Sequence, residues 1–493
     1  MKTACGSSWG CGQARSSGGC GQARKGGHRA RAAAAAGLAA ALVLLAACTR
    51  QSTAPEQPPL TLPSRPATST VPPARAADWT TYHHDNARTG YLAGIADPTR
   101  LARAWSAHLD GAVYGEPLVV GDRVLVATEQ DSLYALSLRS GQVQWHTRVG
   151  EPVPLSALPC GNIDPLGITG TPVYDPATGL VFAVAEVTAK TGPAHVLVGV
   201  DVRGGQVRVR RVVDPPGIDV PPHQQRAALA LSQGKVYVAY GGLLGDCGDY
   251  RGRVVASSTD GRGPLLAFQV PTRREAGIWA ASGPAVDARG NLFVAVGNGA
   301  ATGGAWDRSD SVLHLAPDLR LQDGFAPRQW PADNAADADL GSMGPLLLPG
   351  GLVFADGKSG LGYLLRADHL GGIGGALVER PVCRAFGGSA AAGSTLYVPC
   401  TDGVRQVLVG PGARLELGWQ APARVSGSPV VGGRTVYSLD PAGGVLYALD
   451  AGGGSVRTSA PVGPTSRFAT PTLAGGLVLV GTLTGVTALA AQP

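Results

Sequence analysis

The stretch Val124-Leu-Val-Ala-Thr-Glu-Gln-Asp-Ser-Leu-Tyr-Ala-Leu-Ser-Leu-Arg-Ser-Gly-Gln-Val-Gln-Trp145 decides the fold. It reads as an apolar strand, a polar turn, a second strand ending Ala-Leu-Ser, then a glycine and a third strand. The phrase returns near the end of the chain as Val445-Leu-Tyr-Ala-Leu-Asp-Ala-Gly-Gly-Gly454. A strand–turn unit that recurs every ~40 to 60 residues is the mark of a β-propeller, in which each unit is one four-stranded blade. No helical period appears after residue 47, and the 72 Gly and 38 Pro suit an all-β chain with many turns.

The blades can be located from their innermost strands. Six begin at a proline that precedes an apolar run: Glu116-Pro117, Thr171-Pro172, Gly283-Pro284, Gly344-Pro345, Ser428-Pro429 and Thr470-Pro471. Proline is tolerated at a strand's first residue, where no ladder bond is needed. Two more such strands lack the proline, at 227–231 and 389–392, which makes eight. The last repeat stops at Leu489 without an outer strand, while a spare strand, 101–109, precedes the first repeat. The expectation is an eight-bladed propeller whose last blade is closed by this N-terminal strand, with Trp105 standing where Trp145 stands in the next blade. Closure removes two sheet edges that would otherwise invite aggregation. Aromatic residues are only 5% of the chain, so Trp contacts between blades are expected at few junctions.

The N-terminus reads as an export leader over residues 1–47. Residues 2–37 carry six basic residues and no acid, and the apolar run Ala32–Ala47 follows. That run is short of the ~20 residues that span a bilayer, as expected of a signal peptide. It ends Leu45-Ala46-Ala47-Cys48, a lipobox pattern that predicts cleavage before Cys48 and acylation of that cysteine. Residues 48–77, rich in Pro, Thr and Ser, read as a disordered tether, and the propeller is expected over 78–493. The implied place is outside the cytoplasm, on the outer face of the cytoplasmic membrane or in the periplasm, with the membrane as a partner through the lipid anchor.

Charge and cysteines narrow the function further. The formal net charge of +6 falls to about zero once the six charges of the leader are removed. Nucleic-acid binding needs a clustered basic surface, which the sequence does not show, so no nucleic-acid partner is expected. Of eight cysteines, four remain after Cys48: Cys160, Cys247, Cys383 and Cys400. An even number in an exported chain favours disulfides. Of the three possible pairings, Cys160–Cys247 and Cys383–Cys400 are expected: the first two lie in long Gly/Asp-rich loops of neighbouring repeats, and the last two are a hairpin's reach apart. No metal-site spacing accompanies them.

The repeats, with the opening Trp79-Thr-Thr-Tyr-His-His-Asp-Asn-Ala-Arg-Thr-Gly90, resemble the quinoprotein-type propellers built from pyrroloquinoline quinone (PQQ) repeats, over about residues 78–489. That superfamily holds both dehydrogenases and non-catalytic assembly lipoproteins. The resemblance implies a site. Asn298, in Gly297-Asn298-Gly299, matches the family's metal-binding Asn, and Trp279 matches the floor under the cofactor. Glu186 stands where a second-blade metal ligand is expected. Asp337-Ala-Asp339 matches the stretch that supplies the catalytic base, taken as Asp337, with both carboxylates as metal ligands. Lys358 matches the basic residue on the quinone carbonyls. Such a set suits a hard cation, calcium or a lanthanide, held by oxygen donors and polarising the quinone while a carboxylate takes the alcohol proton. Four features depart from the family. The adjacent Cys-Cys pair is absent, an Arg expected in an early blade has no match, the mature chain is shorter than typical family dehydrogenases, and Ala336 stands where a Trp precedes the Asp stretch. His223-Gln-Gln-Arg226 precedes the third inner strand and is expected to face the channel as a polar plug.

Two functions follow. In the first, the chain is a non-catalytic binding or scaffolding lipoprotein that takes a protein or small-molecule ligand at the propeller face. In the alternative, it is a PQQ- and metal-dependent alcohol dehydrogenase.

Overall fold

The computed structural model describes residues 78–95 and 97–493. The leader, the tether and Cys48 lie outside the described residues. Eight antiparallel sheets form the blades of a propeller. Their innermost strands are Leu118–Val120, Val173–Asp175, Ala230–Ser232, Ala285–Val286, Leu346–Leu348, Ala390–Ala392, Val430–Gly432 and Thr472–Ala474, which we number as blades 1 to 8. All eight coincide with the strands marked in the sequence.

The burial of each strand follows from its place in the ring. Second strands are covered on both faces by neighbouring blades, so they read as unbroken apolar runs rather than alternating ones. Arg123–Thr128 is buried from its second residue onward. Outer strands are half exposed: in Val143–Arg148 only Trp145 is buried. That Trp docks on the next blade, where its Nε1 donates to the carbonyl of Val202 at 2.9 Å. Trp105 donates likewise to Leu138, and Trp419 to Ala451, each at 3.0 Å. Each indole lies where a glycine leaves room: a Cβ at Gly141 would meet the Trp105 ring at 2.4 Å, and one at Gly454 the Trp419 ring at 2.5 Å. The phrase in the sequence is therefore this docking, kept at the junctions of blades 8 with 1, 1 with 2, and 6 with 7.

Arg100–His108 pairs antiparallel with Gly485–Gln492 and becomes the outer strand of blade 8, as expected. The two disulfides also form as expected. Cys160–Cys247 ties the connection between blades 1 and 2 to a loop of blade 3, and Cys383–Cys400 staples blade 6 to the connection that precedes it. A six-residue helix, Trp330–Ala335, interrupts the connection from blade 4 to blade 5. Its anchor is the buried Trp330, with a proline in the first turn where no N–H is needed. Two turns are too short to leave a period in the sequence.

The opening stretch 79–92 closes one end of the central channel. Its carbonyls accept from the inner strands in turn: Trp79 from Val119, Thr80 from Tyr174, Asn86 from Val286, Ala87 from Leu347, Thr89 from Ala391 and Gly90 from Val431. The Asn86 amide reaches Leu231 of blade 3, and the Tyr82 hydroxyl meets Thr470 at the start of blade 8. So tight a circle needs left-handed backbone at His83, His84 and Arg88, which packing holds in place. Arg88 is 1% exposed. It donates to the carbonyls of Pro284, Tyr82 and Leu229 and to the Thr81 hydroxyl.

This packing generates two predictions. Arg88→Met would strip three buried carbonyls of their donor, and the expected loss is about 3–5 kcal/mol in chemical denaturation; a loss below about 1 kcal/mol would show that the plug is held without Arg88. The second concerns Asp131, which is fully buried where blade 1 meets blade 2, with neither carboxylate oxygen hydrogen-bonded. Burial, with Glu129 and Glu186 nearby, lifts its carboxyl to about 8. A carboxyl whose folded pKa lies above its unfolded one holds its proton more tightly in the native state. Stability therefore falls as pH rises through the interval from the ordinary value of about 4 to about 8. Between about pH 5 and about pH 9 the melting temperature should fall, and fall less in Asp131→Asn, which is neutral throughout. Parallel wild-type and Asp131→Asn curves would contradict this.

Candidate functional site

In an up-and-down blade, the residues before the first strand and those after the second lie at the same end of the sheet. Side chains at these positions in successive blades therefore meet at one channel mouth, the end opposite the plug. They enclose a cavity of about 490 Å³. Tyr114, Arg226, Trp279, Arg384, Phe386, Arg467 and Phe468 come from stretches that precede inner strands, and Asn298, Lys358 and Leu483 from turns that follow second strands. The loop tied down by Cys160–Cys247 adds Asn162, Ile163 and Leu244 at the side.

Four of the residues singled out in the sequence line this cavity: Trp279, Asn298, Asp337 and Lys358. Asp339 lies fully buried beneath them and accepts from the Trp279 Nε1 at 3.3 Å. Lys358 joins the set together. Its Nζ is 2.5 Å from Asp337 Oδ1 and 2.7 Å from Asp339 Oδ1, and it stands 5.3 Å from the centre of the Trp279 ring. Burial opposes the charge on Lys358, but Asp339 and Asp337 outweigh it and hold the amine above its ordinary range. The glycine of Gly297-Asn298 is required here, since a Cβ would lie 2.9 Å from both Asp339 Oδ2 and Trp279 Nε1.

Glu186 does not line the cavity. It lies in the second strand of blade 2, 2% exposed, directly opposite His195 in the strand register. His195 Nε2 is 3.3 Å from Glu186 Oε2, and its Nδ1 is 2.7 Å from Asp214 Oδ1. Burial would lower the imidazole's pKa, but Glu186 and Asp214 raise it to about 10, so His195 is held charged between the two acids. The expected plug is corrected as well. His223 is buried, with Nδ1 on the Asp219 carbonyl and Nε2 accepting from the Arg251 N–H, while Arg226 alone of that stretch reaches the cavity.

Sequence reasoning reached Arg226 only as part of the expected plug and missed the rest of the wall, which is aromatic and cationic. Arg226 stands 4.6 Å from the Phe468 ring centre and 5.8 Å from that of Trp279. Arg467 lies 3.8 Å over Phe386, and Arg384 lies 5.6 Å from the same ring. Burial lowers Arg226 to about 10, which still leaves it charged at neutral pH. A signal was present: Tyr114 and Phe468 each stand three residues before the proline that opens their inner strand.

The donor set fits the two halves of a quinone–metal centre unequally. Flat aromatic faces bordered by guanidinium and ammonium groups suit a planar polyanion such as PQQ. The oxygen donors do not suit a hard cation. Glu186 is engaged by His195, Lys358 takes both Asp337 and Asp339, and among the described residues no cluster of three His, Cys, Asp or Glu has metal-ligand geometry.

Comparison with known proteins agrees with the fold. The family model of the outer membrane protein assembly factor BamB matches residues 97–312. A polyvinylalcohol dehydrogenase from a Sphingopyxis species is 27% identical over 254 residues, 45% of this chain and 35% of that protein, so the match spans about a third of the relative's length. Among solved structures, a quinohemoprotein alcohol dehydrogenase from Pseudomonas putida HK5 superposes with a TM-score of 0.63 at 14% identity, covering 84% of this chain and 80% of that one. A europium-containing methanol dehydrogenase gives 0.65 at 16% identity, covering 84% and 91%. BamB from Moraxella catarrhalis gives 0.54 at 15% identity, covering 79% and 97%. The eight blades and the quinoprotein neighbours give this chain the fold of the PQQ-repeat β-propellers, and residues 97–312 match the BamB family model.

Proposed function

We propose that the protein is a lipid-anchored, extracytoplasmic binding propeller whose channel mouth holds a small planar anion without catalysing alcohol oxidation. The observation that carries this reading is the wall of Arg226, Lys358, Arg384 and Arg467 over Trp279, Phe386 and Phe468. A cation on an aromatic face contributes most where water is excluded, and guanidinium groups match carboxylates in a planar, two-pronged geometry. The closed far end makes the mouth a cup, and the apolar side formed by Ile163, Leu243 and Leu244 favours a ring system over a hydrated ion.

A second reading is supported by the convergence of Trp279, Asn298, Asp337 and Lys358 at one mouth, and by the relatives named above. In that reading the protein is a PQQ- and metal-dependent alcohol dehydrogenase. PQQ would supply the hydride acceptor, Trp279 its floor, Lys358 a charge at its carbonyls, and Asp337 or Asp339 the base.

One titration separates the two. PQQ should quench tryptophan fluorescence to saturation equally with calcium and with a chelator. Arg467→Met should weaken binding by about tenfold, the worth of one charge-assisted contact. No alcohol, including polyvinyl alcohol, should drive dye reduction by the PQQ-loaded protein. Dye reduction that requires both alcohol and calcium or a lanthanide, and that is lost in Asp339→Asn, would establish the dehydrogenase instead.

The anchor is tested separately. In fractionated cells the full chain should sediment with membranes, and Cys48→Ala should move it to the soluble extracytoplasmic fraction. A Cys48→Ala protein that stays with the membranes would overturn acylation at this cysteine.

A further inference from the structure

The misfit of the oxygen donors has a cause in this chain's own residues. Asp337 and Asp339 are two residues apart, one at the cavity surface and the other buried beneath it. Two carboxylates so placed repel each other unless a cation lies between them, and the buried one carries the larger desolvation cost. Lys358 supplies that cation. Its backbone N–H also donates to the Asp339 carbonyl at 3.0 Å, which fixes the turn and aims the side chain across Trp279 at the pair.

The rest of the cavity adds to the effect. Four cationic side chains, Arg226, Lys358, Arg384 and Arg467, face two lining carboxylates, Asp246 and Asp337, and a third if Asp339 below is counted. A multivalent cation entering here would have to displace an ammonium that is ion-paired with both carboxylates. It would do so inside a field that already repels it.

We propose that Lys358 is the built-in cation of this site: its ammonium occupies the place between Asp337 and Asp339, so that the mouth takes anions without metal and rejects multivalent cations. This rests on the anion-binding reading above only in its first half. The rejection of cations is a property of the three side chains whether or not an anion binds.

Terbium luminescence tests the second half on its own, because bound Tb³⁺ emits when sensitised by a neighbouring indole, here Trp279. The full-length protein should give no site-specific emission in micromolar Tb³⁺. Lys358→Met removes the ammonium and keeps the stem, freeing Asp337 and Asp339 beside Asn298. It should gain sensitised emission with at least about a tenfold rise in Tb³⁺ affinity, since one like charge at contact distance is removed. Excess calcium should displace the signal, and Lys358→Met/Asp339→Asn should lose it. Lys358→Arg, which keeps the charge, should resemble the wild type. Two results would overturn the proposal: wild-type emission that is lost in Asp339→Asn, or a folded Lys358→Met with no gain. Should Lys358→Met not fold, Lys358→Gln and the wild-type titration still decide it. A wild-type protein that fails to bind PQQ, with the terbium results as expected, would overturn anion binding alone and leave the rejection of cations standing.

Discussion

The pairing of Arg100–His108 with Gly485–Gln492 is the constraint on which the molecule depends. Eight blades have no individual stability to spare, because the second strand of each is apolar on both faces and must be covered by two neighbours. An open ring would expose two such faces as well as two unpaired edges. Closing it with a strand from the other end of the domain makes the ring one cooperative object and fixes its diameter. The stretch 79–92 then uses that diameter. Its hydrogen bonds reach every blade only because the eight inner strands stand on one circle, and Arg88 bonds to carbonyls from blades 3 and 4 at once. Closure and plug are therefore one device, with the outer rim held by one part of the N-terminal chain and the axis by the part just before it.

A channel blocked at one end has a single mouth, and strand polarity decides which residues reach it. Side chains far apart in sequence, from Tyr114 to Leu483, converge there without any of the strands bending toward a ligand. The arrangement also explains why the basic groups sit on aromatic faces. Four like charges within one cavity repel each other, and water is partly excluded. A ring face offers an electron-rich surface that offsets some of the lost hydration without adding a formal negative charge. Arg467 over Phe386 and Arg226 over Phe468 are both of this kind.

The blades were legible because their signal is repeated and local. An apolar run preceded by proline needs only its own residues to be read, and all eight inner strands lie where the sequence marks them. The closing strand was legible by subtraction, as one strand lacking at the end and one in excess at the start. The disulfides were legible from loop composition and separation. The mouth was only half legible. Trp279, Asn298, Asp337, Asp339 and Lys358 carry family spacing, whereas Arg226, Arg384, Phe386, Arg467 and Phe468 carry none and gain meaning only when the ring superposes equivalent positions of different blades. The helix Trp330–Ala335 was hidden by its length, and the role of 79–92 by its lack of any repeat.

The fate of Glu186 shows how little sequence separates a metal ligand from a structural group. The hairpin of Leu180–Ala189 with Gly192–Asp201 sets residue 186 opposite residue 195. With a small apolar residue at 195, an acid at 186 would be left buried without a counter-charge and would either keep its proton or take a cation from elsewhere. With His195 there, the charge is met within the hairpin, and Asp214 accepts the second imidazole proton. Lys358 does for Asp337 and Asp339 at the mouth what His195 does for Glu186 inside blade 2. In both places a carboxylate that the sequence marks as a candidate metal ligand has its countercharge supplied by a side chain of the same chain. The two basic residues come from different blades and act on different carboxylates, so each must have its own effect on cation binding, and neither alone accounts for the whole misfit. Lys358 sets the charge where a ligand arrives, while His195 removes from that place an oxygen donor that the fold could otherwise have supplied.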